Sequence, residues 1–235
     1  MAVVATTGRA EDLAGAALAV ARRFAAGATM WCVSPTWPEH GRHVAVEFVH
    51  PVVVGTRALP AVHVESADIV SAVRLLSRAG DIVLAVGPSE DDRLARVLRR
   101  AEAWGLTSLW LGAGGRPSAG AADHILWADG PADVATRSGE LVLLYHLLWE
   151  LTHVVFEHPG LLEPPAACDA DVCITCSDEG RVAEVVGVGD YGSAEVVAGG
   201  SREAVDVSLI DPVSPGDLVL VHAGVAITTI PERQP

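Results

Sequence analysis

Lysine is absent from this 235-residue chain: all 16 basic residues are arginines, set against 30 acids for a net charge of −14. Such an acidic surface repels nucleic-acid phosphates and anionic lipid headgroups, which argues against both as partners. Long apolar runs are missing too, none approaching the ~18 residues that suggest a membrane span. The N-terminal residues lack the basic segment, apolar stretch and cleavage site of a secretory signal, so the cytoplasm is the expected compartment. Four cysteines are too few for a disulfide scaffold. Half of the residues are nevertheless apolar, enough for a substantial core and incompatible with global disorder.

What is present is unevenly placed. Residues 1–165 carry 13 Arg, 18 acids and all six Trp, whereas the last 70 residues carry 3 Arg and 12 acids. The junction Gly160-Leu-Leu-Glu-Pro-Pro-Ala-Ala reads as a short stiff linker. The expected division is a first domain over 1–160, a linker over 161–170 and a second domain over 171–235.

In the first segment, helical spacing over 11–26 alternates with strand-like runs at 29–33, 61–64, 81–86, 107–111 and 125–128. Further helices are expected over 39–50, 67–78, 90–103 and 138–157, with Ser66 as the N-cap of the helix over 67–78. Strands alternating with helices predict a parallel sheet covered on both faces, with ligands beyond the strands' carboxyl ends near 34–38 and 87–92. The second segment changes period. Its short runs at 181–186, 193–197, 203–208, 218–222 and 226–230, separated by Gly and Pro turns, predict a small closed β-barrel.

Three constellations carry chemistry. His43 and Glu47 stand i,i+4 on one helical face. His146, Glu150, His153 and Glu157 form a polar stripe on a very apolar helix, readable as a metal or dimer-interface site or as a solvent face. Cys168, Cys173 and Cys176 are three thiols close enough in sequence to share one soft cation or one another, with His222 the only histidine of that segment. Cys32, on an apolar strand, reads as a buried core thiol.

Gly80-Asp-Ile-Val-Leu-Ala-Val, His43-Val-Ala-Val-Glu47 and Leu144-Tyr-His-Leu-Leu-Trp-Glu150 resemble the sugar isomerase (SIS) domain, in its phosphoheptose isomerase branch, over residues 8–158. The resemblance implies a flavodoxin-like parallel sheet that binds phosphosugars as a homodimer or higher oligomer, with Glu47 as base beside His43. This chain departs from the family at its phosphate loops, where Pro35-Thr-Trp37-Pro and Gly87-Pro-Ser-Glu-Asp-Asp92 stand. Carboxylates there oppose a phosphate dianion, and Glu140 stands where the family places a catalytic His. The expectation is a degenerate SIS domain with its phosphate site dismantled, serving dimerisation or ligand sensing.

Cys173-Ile-Thr, Gly180-Arg-Val-Ala-Glu-Val, Val205-Asp-Val-Ser-Leu-Ile and above all Gly216-Asp-Leu-Val-Leu-Val-His222-Ala-Gly-Val-Ala-Ile resemble the HypC/HupF hydrogenase assembly chaperone family over residues 173–231. The resemblance implies an OB-like β-barrel that helps assemble the iron centre of nickel–iron hydrogenase. It works there with a scaffold protein and the precursor of the large subunit. Cys173 matches the family's essential Cys, and His222 the His of its Val-His-x-Gly motif. Thiolate and imidazole suit an iron fragment carrying cyanide and carbon monoxide. Cys168 and Cys176 are additional thiols, and a zinc knot built from the three cysteines is the alternative. The expected function is that of a hydrogenase maturation accessory protein carrying or receiving iron through Cys173 with His222. The alternative is a phosphosugar isomerase or phosphosugar-binding protein using His43 and Glu47.

Overall fold

The computed structural model describes residues 2–51, 55–128, 130–163 and 180–231. The chain divides into two compact units, residues 1–99 with 107–164, and residues 100–106 with 165–235.

The first unit contains strands β1 (Met30–Val33), β2 (Ala61–Val64), β3 (Ile82–Val86), β4 (Thr107–Ala113) and β5 (His124–Ala128), all parallel in the order β2-β1-β3-β4-β5. Between and around them run α1 (Ala2–Ala25), α2 (Pro38–Val49), α3 (Ile69–Leu76), α4 (Asp92–Ala101), α5 (Ala132–Ser138) and α6 (Glu140–Glu157). The unbroken apolar run of β3 follows from its place, since every residue from Ile82 to Val86 is buried. Ile82, Leu84 and Val86 join Leu109, Leu111 and Leu126 in one core with Phe24 of α1, Phe48 of α2 and Tyr145 and Leu148 of α6. Burying one side chain such as Phe48 contributes about 1.5–3 kcal/mol. Cys32 lies within this core, and burial pushes its thiol up to about 12. It is the core thiol that its strand pattern implies.

One local expectation is corrected. The cap of α3 is Asp68, whose carboxylate accepts from the Ser71 N–H at 3.2 Å. Ser66 instead ties to the backbone of Asp68, accepting from its N–H at 3.2 Å. The long helix expected over 138–157 is present as α6, and the pattern missed only the short α5 before it, which ends where Gly139 adopts a left-handed conformation (φ 79°).

In the second unit, β6 (Arg181–Val188), β7 (Ser193–Ala198), β8 (Ser201–Asp206), β9 (Leu218–His222) and β10 (Val225–Ile230) close into a barrel in the order β10-β8-β7-β6-β9. Its interior is filled by Ala183, Val185, Ala194, Val196, Ala198, Val205, Val219, Val221 and Ala226. Only small and β-branched side chains fit inside so narrow a cylinder. Residues 100–106, expected to finish a helix of the first domain, group with this unit. There Trp104 donates its indole N–H to the buried Glu184 at 2.6 Å.

Candidate functional site

The loop after β1 sets up the first cluster. The Ser34 hydroxyl lies 2.5 Å from the Trp37 carbonyl oxygen and 2.8 Å from that of Val86, its one proton shared between them, which fixes the turn into α2. Pro38 then opens the helix, where its missing N–H costs nothing. Gly41 permits α2 to lie close to the sheet: a Cβ there would stand 2.6 Å from the His63 ring and 2.7 Å from the Ser34 Cβ. The next turns of α2 present His43 and Glu47.

His43 Nε2 lies 3.1 Å from Glu47 Oε1, and His43 Nδ1 lies 2.7 Å from the Tyr145 hydroxyl on α6. A carboxylate only accepts, so Nε2 carries the proton shared with Glu47, and in the singly protonated ring Nδ1 accepts from Tyr145. Burial, and secondly the charge of Glu47, push the Tyr145 phenol up to about 12, which keeps it a donor at neutral pH.

His146, the neighbour of Tyr145, places its Nε2 3.6 Å from Glu47 Oε1, too long for a hydrogen bond. That nitrogen is buried and has no hydrogen-bond partner. One ligand atom from each of His43, Glu47 and His146 lies within 4.8 Å of the others. Two imidazoles and a carboxylate converging this way have the chemistry of a divalent cation site of the zinc type. His40 packs edge-on against Tyr145 and Trp37, joining this cluster to the loop after β1. Burial and the neighbouring His43 hold the His40 imidazole below its usual range.

The sequence pattern missed this convergence. It groups His146 with Glu150, His153 and Glu157, but the structure separates them. Glu150 and Glu157 are exposed, while His153 is buried between the carbonyls of Trp149 and Arg57, each at 2.9 Å. Glu140 belongs to a different contact, accepting from Arg9 of α1 at 3.0 Å. The one usable signal was Tyr145-His146 beside a paired His43 and Glu47, and only tertiary structure connects them.

The second candidate site falls partly outside the described residues, since Cys168, Cys173 and Cys176 all lie there. His222 is described. It ends β9 and is half-buried, directly before the turn Ala223-Gly224, both of whose residues have positive φ (49° and 81°). Such a two-residue turn matches the twist of the strands it joins. The register pairs Arg181 with Val221, so the chain enters the barrel at the end where His222 sits. As the barrel pattern implies, the first and fourth of its strands are neighbours.

Comparison with known proteins gives each unit a likeness. Residues 180–234 match the model of the HupF/HypC family. The fold of the first unit is shared with a phosphoheptose isomerase from Francisella tularensis, at a TM-score of 0.52 and 16% identity, covering 65% of this chain and 92% of that one. A phosphoheptose isomerase from Neisseria gonorrhoeae gives 0.50 and 15%, covering 64% and 91%. No curated protein matches the chain. The expected pairing of an SIS-like α/β domain with a HupF/HypC-like barrel is therefore present. Among the described residues, no helix is long and apolar enough to cross a membrane.

Proposed function

We propose that this chain is an accessory protein of nickel–iron hydrogenase maturation, carrying or receiving a cyanide- and carbonyl-bearing iron fragment as cargo. The match of residues 180–234 to the HupF/HypC family carries this reading. Cys173 is assigned the ligating thiolate and His222 a second or orienting ligand, with Cys176 and Cys168 as further thiols. Support comes from the entry of the chain into the barrel beside His222. The partners are a hydrogenase assembly scaffold protein and the large-subunit precursor, met in the cytoplasm. The SIS-like unit serves to form a homodimer or larger assembly, or to sense a ligand. The test is recovery of these partners on wild-type and Cys173→Ala protein. The wild type should retain them and the variant lose them, and recovery of neither partner on either protein refutes the reading. A zinc knot of the three cysteines is the rival for the thiols, recognised by one tightly held, non-exchanging zinc per chain.

A second reading concerns the first unit and is favoured by the cluster of His43, Glu47 and His146. His43, Glu47 and His146 would hold a divalent cation, which would supply Lewis-acid polarisation of a sugar oxygen, and Glu47 would move the proton, as isomerisation of a sugar requires. Titration with zinc should show a site in the wild type that Glu47→Gln and His146→Ala both lose, any zinc held by the cysteines being common to all three proteins. A ligand-dependent rise in Tm absent from Glu47→Gln extends the reading to sugars.

A further inference from the structure

In a parallel sheet ordered β2-β1-β3-β4-β5, the crevice opens between β1 and β3, where the strand order reverses. Ligands of such sheets sit there, and their anionic groups meet the backbone N–H groups that open the following helix. In this protein the position is taken by a side chain. Asp91 immediately precedes α4 and is buried, with only 4% of its side chain exposed.

Four donors converge on its two oxygens. The Arg93 backbone N–H (3.0 Å) and Arg93 Nε (3.0 Å) reach Oδ1, while Arg93 Nη2 (3.0 Å) and the Thr36 hydroxyl reach Oδ2. Arg93 Nη2 also donates to Thr36 Oγ1 at 3.1 Å, which closes the ring. A helix cap with a local ion pair accounts for the Arg93 contacts alone. It does not account for Thr36, which belongs to the loop after β1 and is tied across the crevice to the loop after β3. The donor set is that of an anion site: a guanidinium fork, a helix-opening N–H and a hydroxyl. Burial works against the charge on Asp91, but the bonds from Arg93 and Thr36 outweigh it and hold the carboxyl below its usual range. Glu90 and Asp92 flank it, both exposed, and add further negative charge.

We infer that Asp91 is a built-in anion that fills the cradle between β1 and β3, so the ligand admitted beside His43, Glu47 and His146 carries no phosphate. Trp37, next to Thr36, reaches that cluster through His40 and Tyr145, so both features open on one end of the sheet. The class of ligand rests on the second reading above. The occupancy of the cradle does not, and neither depends on what the barrel carries.

The probe is inorganic phosphate, titrated calorimetrically at constant ionic strength into the full chain and its variants. Asp91→Ser keeps a capping side chain but vacates the cradle, leaving Thr36 and the Arg93 fork free for an outside anion. It should bind phosphate at least ~10-fold more tightly than the wild type, since a like charge no longer faces the ligand. The combined variant Asp91→Ser with Arg93→Ala should lose that gain. If Asp91→Ser does not fold, Asp91→Asn keeps the shape and cap without the charge, and its phosphate affinity should still exceed that of the wild type. Phosphate binding by the wild type as tight as by the variant overturns the inference, and so does absence of a gain in every folded variant. Because the readout is phosphate itself, failure of the cation site to bind zinc leaves this result intact.

Discussion

Replacing Gly41 by alanine adds a methyl group where α2 lies nearest the sheet. Within a helix, alanine is better than glycine by about 1 kcal/mol, so propensity alone favours the change. Packing decides otherwise. The new Cβ would stand 2.6 Å from the His63 ring and 2.7 Å from the Ser34 Cβ, whereas carbon atoms rest about 3.5–4.0 Å apart. The His63 ring can rotate away, but the Ser34 Cβ is fixed to the backbone at the end of β1. Relief therefore requires α2 to lift by roughly 1 Å, and overpacking of this kind costs about 1–3 kcal/mol. Net destabilisation should fall near 0–2 kcal/mol, lowering Tm by up to several degrees at about 2–4 °C per kcal/mol for a chain of this size. Gly15 in α1 is the control, since a Cβ there meets only His124 Cε1, at 4.0 Å. Gly15→Ala should stabilise by up to ~1 kcal/mol. Lifting α2 also moves His43 and Glu47 away from His146, so zinc affinity should fall in Gly41→Ala and hold in Gly15→Ala. Thermal melts and zinc titrations of both variants read this out. Equal stabilisation by the two substitutions, with zinc affinity unchanged, refutes the packing argument.

The buried Cys32 thiol makes stability depend on pH in the alkaline range. Above the ordinary thiol value of 9.0 the unfolded chain loses a proton that the folded chain keeps up to about 12. Stability should therefore fall by up to about 1.4 kcal/mol per pH unit from this thiol across that window, and Cys32→Ala should reduce the slope in denaturant titrations, leaving above pH 10 the part that comes from the raised Tyr145 phenol. In native protein at neutral pH, alkylating reagents should reach Cys32 only after unfolding, as mass spectrometry of labelled peptides can show. With zinc on His43 Nε2 the ring proton moves to Nδ1 and the Tyr145 hydroxyl accepts it, so Tyr145→Phe removes that partner and should weaken zinc binding measurably without unfolding the unit, checked by titration beside a melt. Ala223→Gly relieves a non-glycine residue at φ 49° and should stabilise the barrel by roughly 1 kcal/mol, read from chemical denaturation.

Much of this architecture is legible in the chain because strands and helices here obey their own periods. The apolar run of β3 and the alternation of elements suffice for a parallel sheet, and the short runs broken by Gly pairs suffice for the barrel. Boundaries are less legible where two polar residues compete, as Ser66 and Asp68 do for the start of α3. The short α5, ended by Gly139, is illegible because its few apolar residues show no helical period, whereas the long apolar α6 behind it is plain. The cation cluster was legible only in half. The spacing of His43 and Glu47 announces a shared face, but their third partner comes from α6. There, His153 is buried and His146 is half-buried beside Glu47, while Glu150 and Glu157 stay outside. A stripe counted at +4, +3 and +4 merges these two rows. The carboxylates at 90–92 were visible as a departure from a phosphate loop. That one of them is buried and bonded to Thr36 depends on two loops meeting across the crevice, which spacing along the chain does not encode.

The central claim, that the barrel handles the iron fragment of a nickel–iron hydrogenase, is tested most directly by infrared spectroscopy. The protein is purified without oxygen from cells making the hydrogenase assembly proteins, and its spectrum is recorded in the region where metal-bound cyanide and carbon monoxide absorb. Bands from both ligands should appear on the wild type, weaken in His222→Ala and vanish in Cys173→Ala. A wild-type spectrum without these bands, or bands unchanged in Cys173→Ala, contradicts the account.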